Sequence, residues 1–259
     1  MNHGITIEAI LPVRQTRSER GALVNQALFG ELYEVVEEEE RWVRVRLCHD
    51  RSTGWIARAS HHAVDEAYAG AYLAGERVVT PSLFTPLAKE GEWGARLVVA
   101  GSLLPLFDRS TGRSRAGGAV YIPAGSAPVG AIETREQLSR GAFMYYNTPY
   151  LPGGRSPRGI DDTGLVQVIY RLAGRSLPRD LEGQLATGET LSFLEEALPG
   201  DLLFFGDEEK VSHVGIAWEG GRLVHASGRV RVDRVDHHGI FNEELRRYTH
   251  ALKVIKRAW

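Results

Sequence analysis

The side chains with the strongest claim to chemistry fall in two places: a loop and helix start near residue 161, and a strand pair near residue 220. Residues 146–160 carry Pro149, Pro152, Gly153, Gly154, Pro157 and Gly159, so this backbone is a shaped loop. Asp161 and Asp162 follow, and either can cap a helix by accepting the free N–H groups of its first turn. Leu165, Val168, Ile169 and Leu172 then recur at helical spacing and predict one apolar face, and Gly174 predicts the helix end. A helix N-terminus favours negative charge, so a reactive group placed there is held in its ionised form.

On a strand beginning at Val211, His213, Gly215 and Ala217 share one face, with Val214, Ile216 and Trp218 on the other. Suppose Glu219-Gly220-Gly221 is a three-residue hairpin loop with glycine in the left-handed region. Trp218 then pairs with Arg222, Gly215 with His225, and His213 and His225 become diagonal neighbours within contact range. A two-residue loop would put them on opposite faces. Taken from the residues alone, such a pair is two satisfied, half-buried side chains, or, with Asp162 added, two imidazoles and a carboxylate around a metal. Nothing in the spacing demands a metal, and no metal or cofactor is expected.

The elements around these residues belong to an ordinary globular chain of 259 residues, 43% hydrophobic and 25% charged, long enough for one large domain or two to three small ones. The formal net charge of −2 argues against nucleic acid as a main partner. No apolar run approaches the ~20 residues of a membrane span. The start, Met-Asn-His-Gly-Ile-Thr-Ile-Glu, has no basic segment followed by an apolar core, so no signal peptide is read and a cytoplasmic location is expected; a leader already removed would make it periplasmic or secreted. Cys48 is the single cysteine, which excludes an internal disulfide, and it is expected to be a small half-buried residue rather than a nucleophile.

Residues 1–65 read as all-β. A strand at 32–36, a glutamate-rich turn at 37–40 and an alternating strand at 42–47 lead through Asp50-Arg51-Ser52-Thr53-Gly54 into Trp55-Ile56. This hairpin, turn and Gly-Trp-Ile is similar to a bacterial SH3-like barrel. Residues 66–76 are a linker with room for a short helix. Residues 77–127 are β-rich again, and Asp108-Arg109-Ser110-Thr111-Gly112 repeats the earlier pentapeptide, either marking a second such module or reflecting what turns prefer. Residues 123–128 read as a linker. From 133 to 259, helices at 135–143 and 162–172 precede strands at 202–205, 211–218 and 222–226, an α+β order.

The loop and helix resemble the signature of the NlpC family of papain-like cell-wall cysteine peptidases, Thr-Pro-Tyr-x-Trp-Gly-Gly-x-Ser-x-x-Gly-x-Asp-Cys-Ser-Gly-Leu-Val-Gln. Thr148-Pro149-Tyr150, Gly153-Gly154, Ser156, Gly159, Asp161 and Gly164-Leu165-Val166-Gln167 match, as do the later Pro199-Gly200-Asp201, His213-Val214-Gly215-Ile216 and His225-Ala226-Ser227. Asp162 stands where the family has its cysteine, Thr163 where it has serine and Pro152 where it has tryptophan. The resemblance implies one or two SH3-like barrels ahead of an α+β papain-like domain. It implies His213 as the base, His225 as the group that orients it, and Tyr150, Asp161 and Thr163 beside the bound peptide. An aspartate at the nucleophile position would pair with His213 and favour its charged form, which is no base. Carboxylates act as nucleophiles on glycosides and phosphates rather than amides. The expectation is therefore a non-catalytic homologue that binds short peptidoglycan-type peptides. The rivals are a hydrolase still active on gamma-D-glutamyl-diamino-acid peptides, and a structural or interaction protein with no ligand.

Overall fold

A computed structural model describes residues 2–124 and 134–259, which divide into two compact units, Met1–Ala131 and Ile132–Trp259. Of the linker expected at 123–128, residues 125–128 lie outside the described residues.

The first unit is built on a seven-stranded antiparallel sheet ordered Leu23–Leu28, Ile10–Arg14, Thr53–Ala57, Trp42–Leu47, Leu32–Glu38, His3–Ile5, Ala63–Val64. Alternation drives it: Val43, Val45 and Leu47 are fully buried with Leu11, Val13, Tyr33 and Ile56, while Arg44 between them is exposed. The glutamate-rich hairpin runs as strand to Glu38, and its carboxylates meet Arg17, Arg44 and Arg58 at the surface. Asp65 caps a helix, Glu66–Ala74. Residues 84–123 then form a separate four-stranded sheet ordered Ala95–Val99, Phe84–Lys89, Ala119–Pro123, Ser114–Ala116. Leu87, Val98 and Tyr121 from it share one core with Ile5, Phe29 and Leu32.

Both copies of the pentapeptide form aspartate-anchored turns. Asp50 Oδ1 accepts from Ser52 N at 2.9 Å and Ser52 Oγ at 2.7 Å, and Asp108 Oδ1 accepts from Ser110 N at 2.8 Å and Ser110 Oγ at 2.6 Å. Beyond the serines the two diverge: Thr53 opens a strand, whereas Thr111 bonds back to Asp108 and Gly112 turns with φ +69°.

In the second unit a capping box of Thr134 and Gln137 starts the Arg135–Phe143 helix. The helix Asp162–Leu172 follows, with Asp161 as its cap. Its apolar stripe was to be expected on one face; instead every residue from Asp162 to Leu172 is buried. Two of its polar members are tied in place, Gln167 Nε2 on Leu177 O at 3.0 Å and Tyr170 OH on Gly200 O at 2.7 Å. Pro199-Gly200-Asp201 is a structural tie, because the buried Asp201 binds Arg135 Nη1 at 2.7 Å and Arg257 Nη2 at 2.8 Å.

The strands that follow do more than stack. Leu202–Gly206, Val211–Trp218, Arg222–Ser227, Arg229–Asp236, Gly239–Asn242 and Arg247–Arg257 pair in that order, and the last pairs again with the first, closing a barrel. Leu203, Phe205, Ala217, Leu223, Val235, Ile240 and Ile255 fill it. The other face of the strands, with Val214, Ile216 and Val224 fully buried, packs beneath the helices. The Glu219-Gly220-Gly221 loop holds Gly220 at φ +67° and Gly221 at φ +65°, and Gly215 pairs with His225, the three-residue geometry.

Gly164 is where the loop presses on the buried helix: a Cβ there would lie 2.2 Å from Gly154 O and 2.7 Å from Asp161 Oδ1. A backbone carbonyl has no room to yield, so Gly164→Ala should cost about 2–4 kcal/mol of stability. Urea denaturation of the full chain checks this, and a midpoint unchanged from the parent would refute it.

Candidate active site

The tight turn Gly153-Gly154 brings the loop across the start of the helix. Asp161 Oδ1 accepts from Gly164 N at 2.7 Å, and Asp161 Oδ2 accepts from Gly153 N at 2.8 Å and Arg179 Nη2 at 2.7 Å. Thr163 Oγ1 also accepts from Arg179, and Gln184 Nε2 reaches Thr163 O at 2.9 Å. Asp161 and Thr163, candidates for peptide contact, are thus both 7–8% exposed and held by protein partners. Tyr150 is different: it is 40% exposed, with its backbone N–H fixed on Gly228 O at 3.0 Å. Partial burial raises its phenol pKa, and the charges of Asp162 and Asp161 add to that.

Asp162 occupies the first helical turn and reaches the barrel. Its Oδ2 lies 2.8 Å from His213 Nδ1 and accepts from Val214 N at 3.2 Å. Burial opposes ionisation here, but the hydrogen bond and charge of His213, with the N–H groups of Thr163 and Val214, outweigh it and hold the carboxyl below its ordinary range. His213 Nε2 lies 2.8 Å from His225 Nδ1, and His225 Nε2 lies 3.0 Å from Asp233 Oδ2. Arg231 clamps the same Asp233 from Nε at 2.6 Å and Nη2 at 3.0 Å, and Arg231 Nη1 reaches Glu244 at 3.2 Å. A hydrogen-bonded chain therefore runs from the helix end, through both histidines, to the surface.

The proton positions follow from this network. Burial pushes His225 down to about 4, more than its bond to Asp233 raises it, so at neutral pH it is uncharged. Its Nε2–H donates to Asp233, which leaves Nδ1 as an acceptor. The ionised Asp162 can only accept, so His213 donates to it from Nδ1, and its Nε2 faces His225 Nδ1.

Sequence reading brought Tyr150, Asp161, Asp162, Thr163, His213 and His225 to the table, and the structure gathers them around the helix start and the barrel. It missed Arg179, Arg231, Asp233 and His250. Arg231 and Asp233 could have been found, since Arg229-Val230-Arg231-Val232-Asp233 alternates after a glycine turn and the register puts Arg231 opposite His225. His250 had no local signal. Barrel closure stacks its ring on His213, centroids 4.5 Å apart and planes 29° apart. Among the described residues no group of His, Cys, Asp and Glu has metal-holding geometry. Cys48 is half-buried in the other unit, and burial pushes its thiol up to about 11, where it is inert.

A buried helix whose first turn meets a histidine on an antiparallel barrel defines a papain-like α+β domain. Residues 147–249 match the NlpC/P60 family, and residues 13–60 match the bacterial dipeptidyl-peptidase SH3 domain. The gamma-D-glutamyl-L-lysine dipeptidyl-peptidase of Bacillus subtilis is 30% identical over 244 residues, 82% of this chain and 77% of that one. Dipeptidyl-peptidase 6 of Lysinibacillus sphaericus is 28% identical over 249 residues, 86% of this chain and 88% of that one. The crystal structure of an NlpC/P60 family protein from Bacillus cereus shares the fold, with a TM-score of 0.82 at 17% identity over 99% of each chain. The chain belongs to the NlpC/P60 family.

Two predictions come from this geometry. His250 is also pushed down to about 4, by burial first and then by the charge of His213, against the opposing pull of Asp162 and Asp233. An unfolded histidine titrates near ~6.5, so between about 6.5 and 4 the unfolded chain binds more protons than the folded one. Stability should fall as pH falls through that window, whereas the Asp162 contribution is lost only at lower pH, as its depressed carboxyl protonates. His250→Asn should flatten the slope of denaturation midpoint against pH between those limits; an unchanged slope would exclude His250 as a source. Secondly, Asp162→Cys puts a thiol between a helix end and His213, and it should ionise well below ~8.5. Rapid alkylation in the folded protein is the expected result. Turnover should stay weak or absent until Pro152→Trp and Thr163→Ser are added, because attack needs the carbonyl within roughly 3–3.5 Å of the sulfur. Slow alkylation with an ordinary thiol pKa would contradict the placement of His213.

Proposed function

We propose that this chain is a non-catalytic NlpC/P60 protein that binds short peptides of the cell-wall type. The observation that carries the reading is the 2.8 Å pair between Asp162 and His213. It removes two requirements of amide cleavage at once. The carboxylate at the nucleophile position is a poor nucleophile for an amide, and His213 Nδ1, which donates to it, offers no lone pair there with which to take a proton.

Binding asks for less than cleavage. Tyr150 is the exposed candidate at the site, and the charges of Asp162 and Asp161 act on it. Asp161 is saturated by Arg179, Gly153 and Gly164, so recognition of a peptide amine through Asp161 requires the guanidinium to swing away. The peptide class is taken from the relative named a gamma-D-glutamyl-L-lysine dipeptidyl-peptidase.

The test uses L-Ala-γ-D-Glu-L-Lys. Mass spectrometry after long incubation should find it intact, and calorimetry should give a dissociation constant of about 0.1–1 mM, a modest −4 to −5.5 kcal/mol. Tyr150→Ala should weaken binding about tenfold. Released dipeptide would restore the hydrolase reading, and no heat at millimolar peptide would leave an interaction protein without this ligand.

A further inference from the structure

A groove of about 1070 Å³ lies on the outer face of the barrel, beside the Arg135–Phe143 helix. Among the described residues it shares only Asp233 with the histidine chain, and that carboxylate is committed to His225 and Arg231. Three rings form its floor. Phe143 stacks on Tyr146 with centroids 5.1 Å apart, and Trp218 meets Phe143 edge-on at 5.1 Å and 89°. Phe143 and Tyr146 are each 45% exposed, a large open aromatic surface.

The rim mixes Arg140, Arg222 and Arg234 with Glu219, Asp233 and Glu243, and it holds one like-charged pair that the fold alone disfavours. Arg222 and Arg234 face each other directly across two strands, and like charges so opposed destabilise the pairing. Glu243 neutralises Arg234, with Oε1 2.8 Å from Nε. Arg222 is exposed and makes no ion pair among the described residues. An anion bridging the two guanidiniums would relieve the repulsion, and planar guanidiniums suit carboxylate or phosphate. The floor strands are paired on both sides within the closed barrel, so no strand edge is open to a peptide main chain. Rings with an adjacent guanidinium–carboxylate pair instead offer stacking surface together with both donors and acceptors.

We propose that this groove binds an acidic saccharide. Its sugar ring lies on Phe143, Tyr146 and Trp218. Its carboxylate or phosphate bridges Arg222 and Arg234, and its hydroxyls exchange hydrogen bonds with the Arg234–Glu243 pair. This inference does not rest on the reading of the Asp162 site, and either can fail alone.

The test titrates the full chain with glucuronate, glucose 6-phosphate, glucose and tetraglutamate, followed by nuclear magnetic resonance of the Trp218 indole N–H, assigned by its loss in Trp218→Phe. At least one acidic sugar should shift that signal and bind about tenfold tighter than glucose, and the tighter of the two identifies the anion. Arg222→Gln should bring the acidic sugars down to the level of glucose while leaving Tm and binding of L-Ala-γ-D-Glu-L-Lys unchanged. If that variant lowers Tm, Arg222→Lys replaces it; keeping the charge without the fork, it should lose part of the preference. Tyr146→Ala should weaken all three sugars. Equal binding of acidic sugars and glucose would overturn the proposal, as would the absence of any shift at ~50 mM sugar. Tighter binding of tetraglutamate than of any sugar would make the groove a peptide site and overturn it as well.

Discussion

The polar network of the second unit is anchored by one buried contact, Asp162 with His213. Its position is set from both sides. The helix end supplies N–H groups and a favourable field for the carboxylate, and the barrel supplies a histidine whose outer nitrogen is already engaged by His225. A pair removed from water is stable only when its remaining hydrogen-bonding capacity is met. Here Val214 N–H completes the carboxylate, and the relay through His225 to Asp233 and Arg231 completes the imidazole of His213. The same features that would ionise a thiol hold this carboxylate as an anion, and its contacts with His213 and Val214 tie the helix to the barrel.

The loop around the pair shows a second substitution of protein for ligand. Arg179 places a guanidinium on Asp161 and on Thr163, so a carboxylate that could face a bound amine is satisfied from within. Tyr150 stays partly exposed. The rim of the site keeps a contact surface while its charged centre is closed on itself.

Much of this was legible in the residues. The glycine and proline loop, the capping aspartate, the strand beginning at Val211 and the left-handed glycines at 220 and 221 each depend on neighbours a few positions away, so local chemistry specifies them. That is why the His213–His225 relation could be derived from a hairpin loop. What could not be read depends on closure over long separations. His250 reaches His213 only because the Arg247–Arg257 strand returns to pair with Leu202–Gly206. The total burial of the Asp162–Leu172 helix is likewise a tertiary result, since its apolar periodicity announces one face and says nothing of what covers the others. The repeated Asp-Arg-Ser-Thr-Gly shows the converse hazard: identical residues make identical first bonds to an aspartate and then enter different structures.

Barrel closure by Arg247–Arg257 also bears on how the molecule is made. This strand pairs with segments about fifty positions earlier, and it is the latest of the barrel strands to leave the ribosome. Until it docks, Leu203 and Phe205 lack a wall and His213 lacks its stacking partner. The second unit thus completes its core, and adds His250 to the hairpin's two histidines, only when this non-local strand pairs, whereas the hairpins of the first unit can assemble while synthesis continues. During that interval the nascent chain exposes an open sheet with apolar residues along it, which makes translation the period of greatest exposure to self-association.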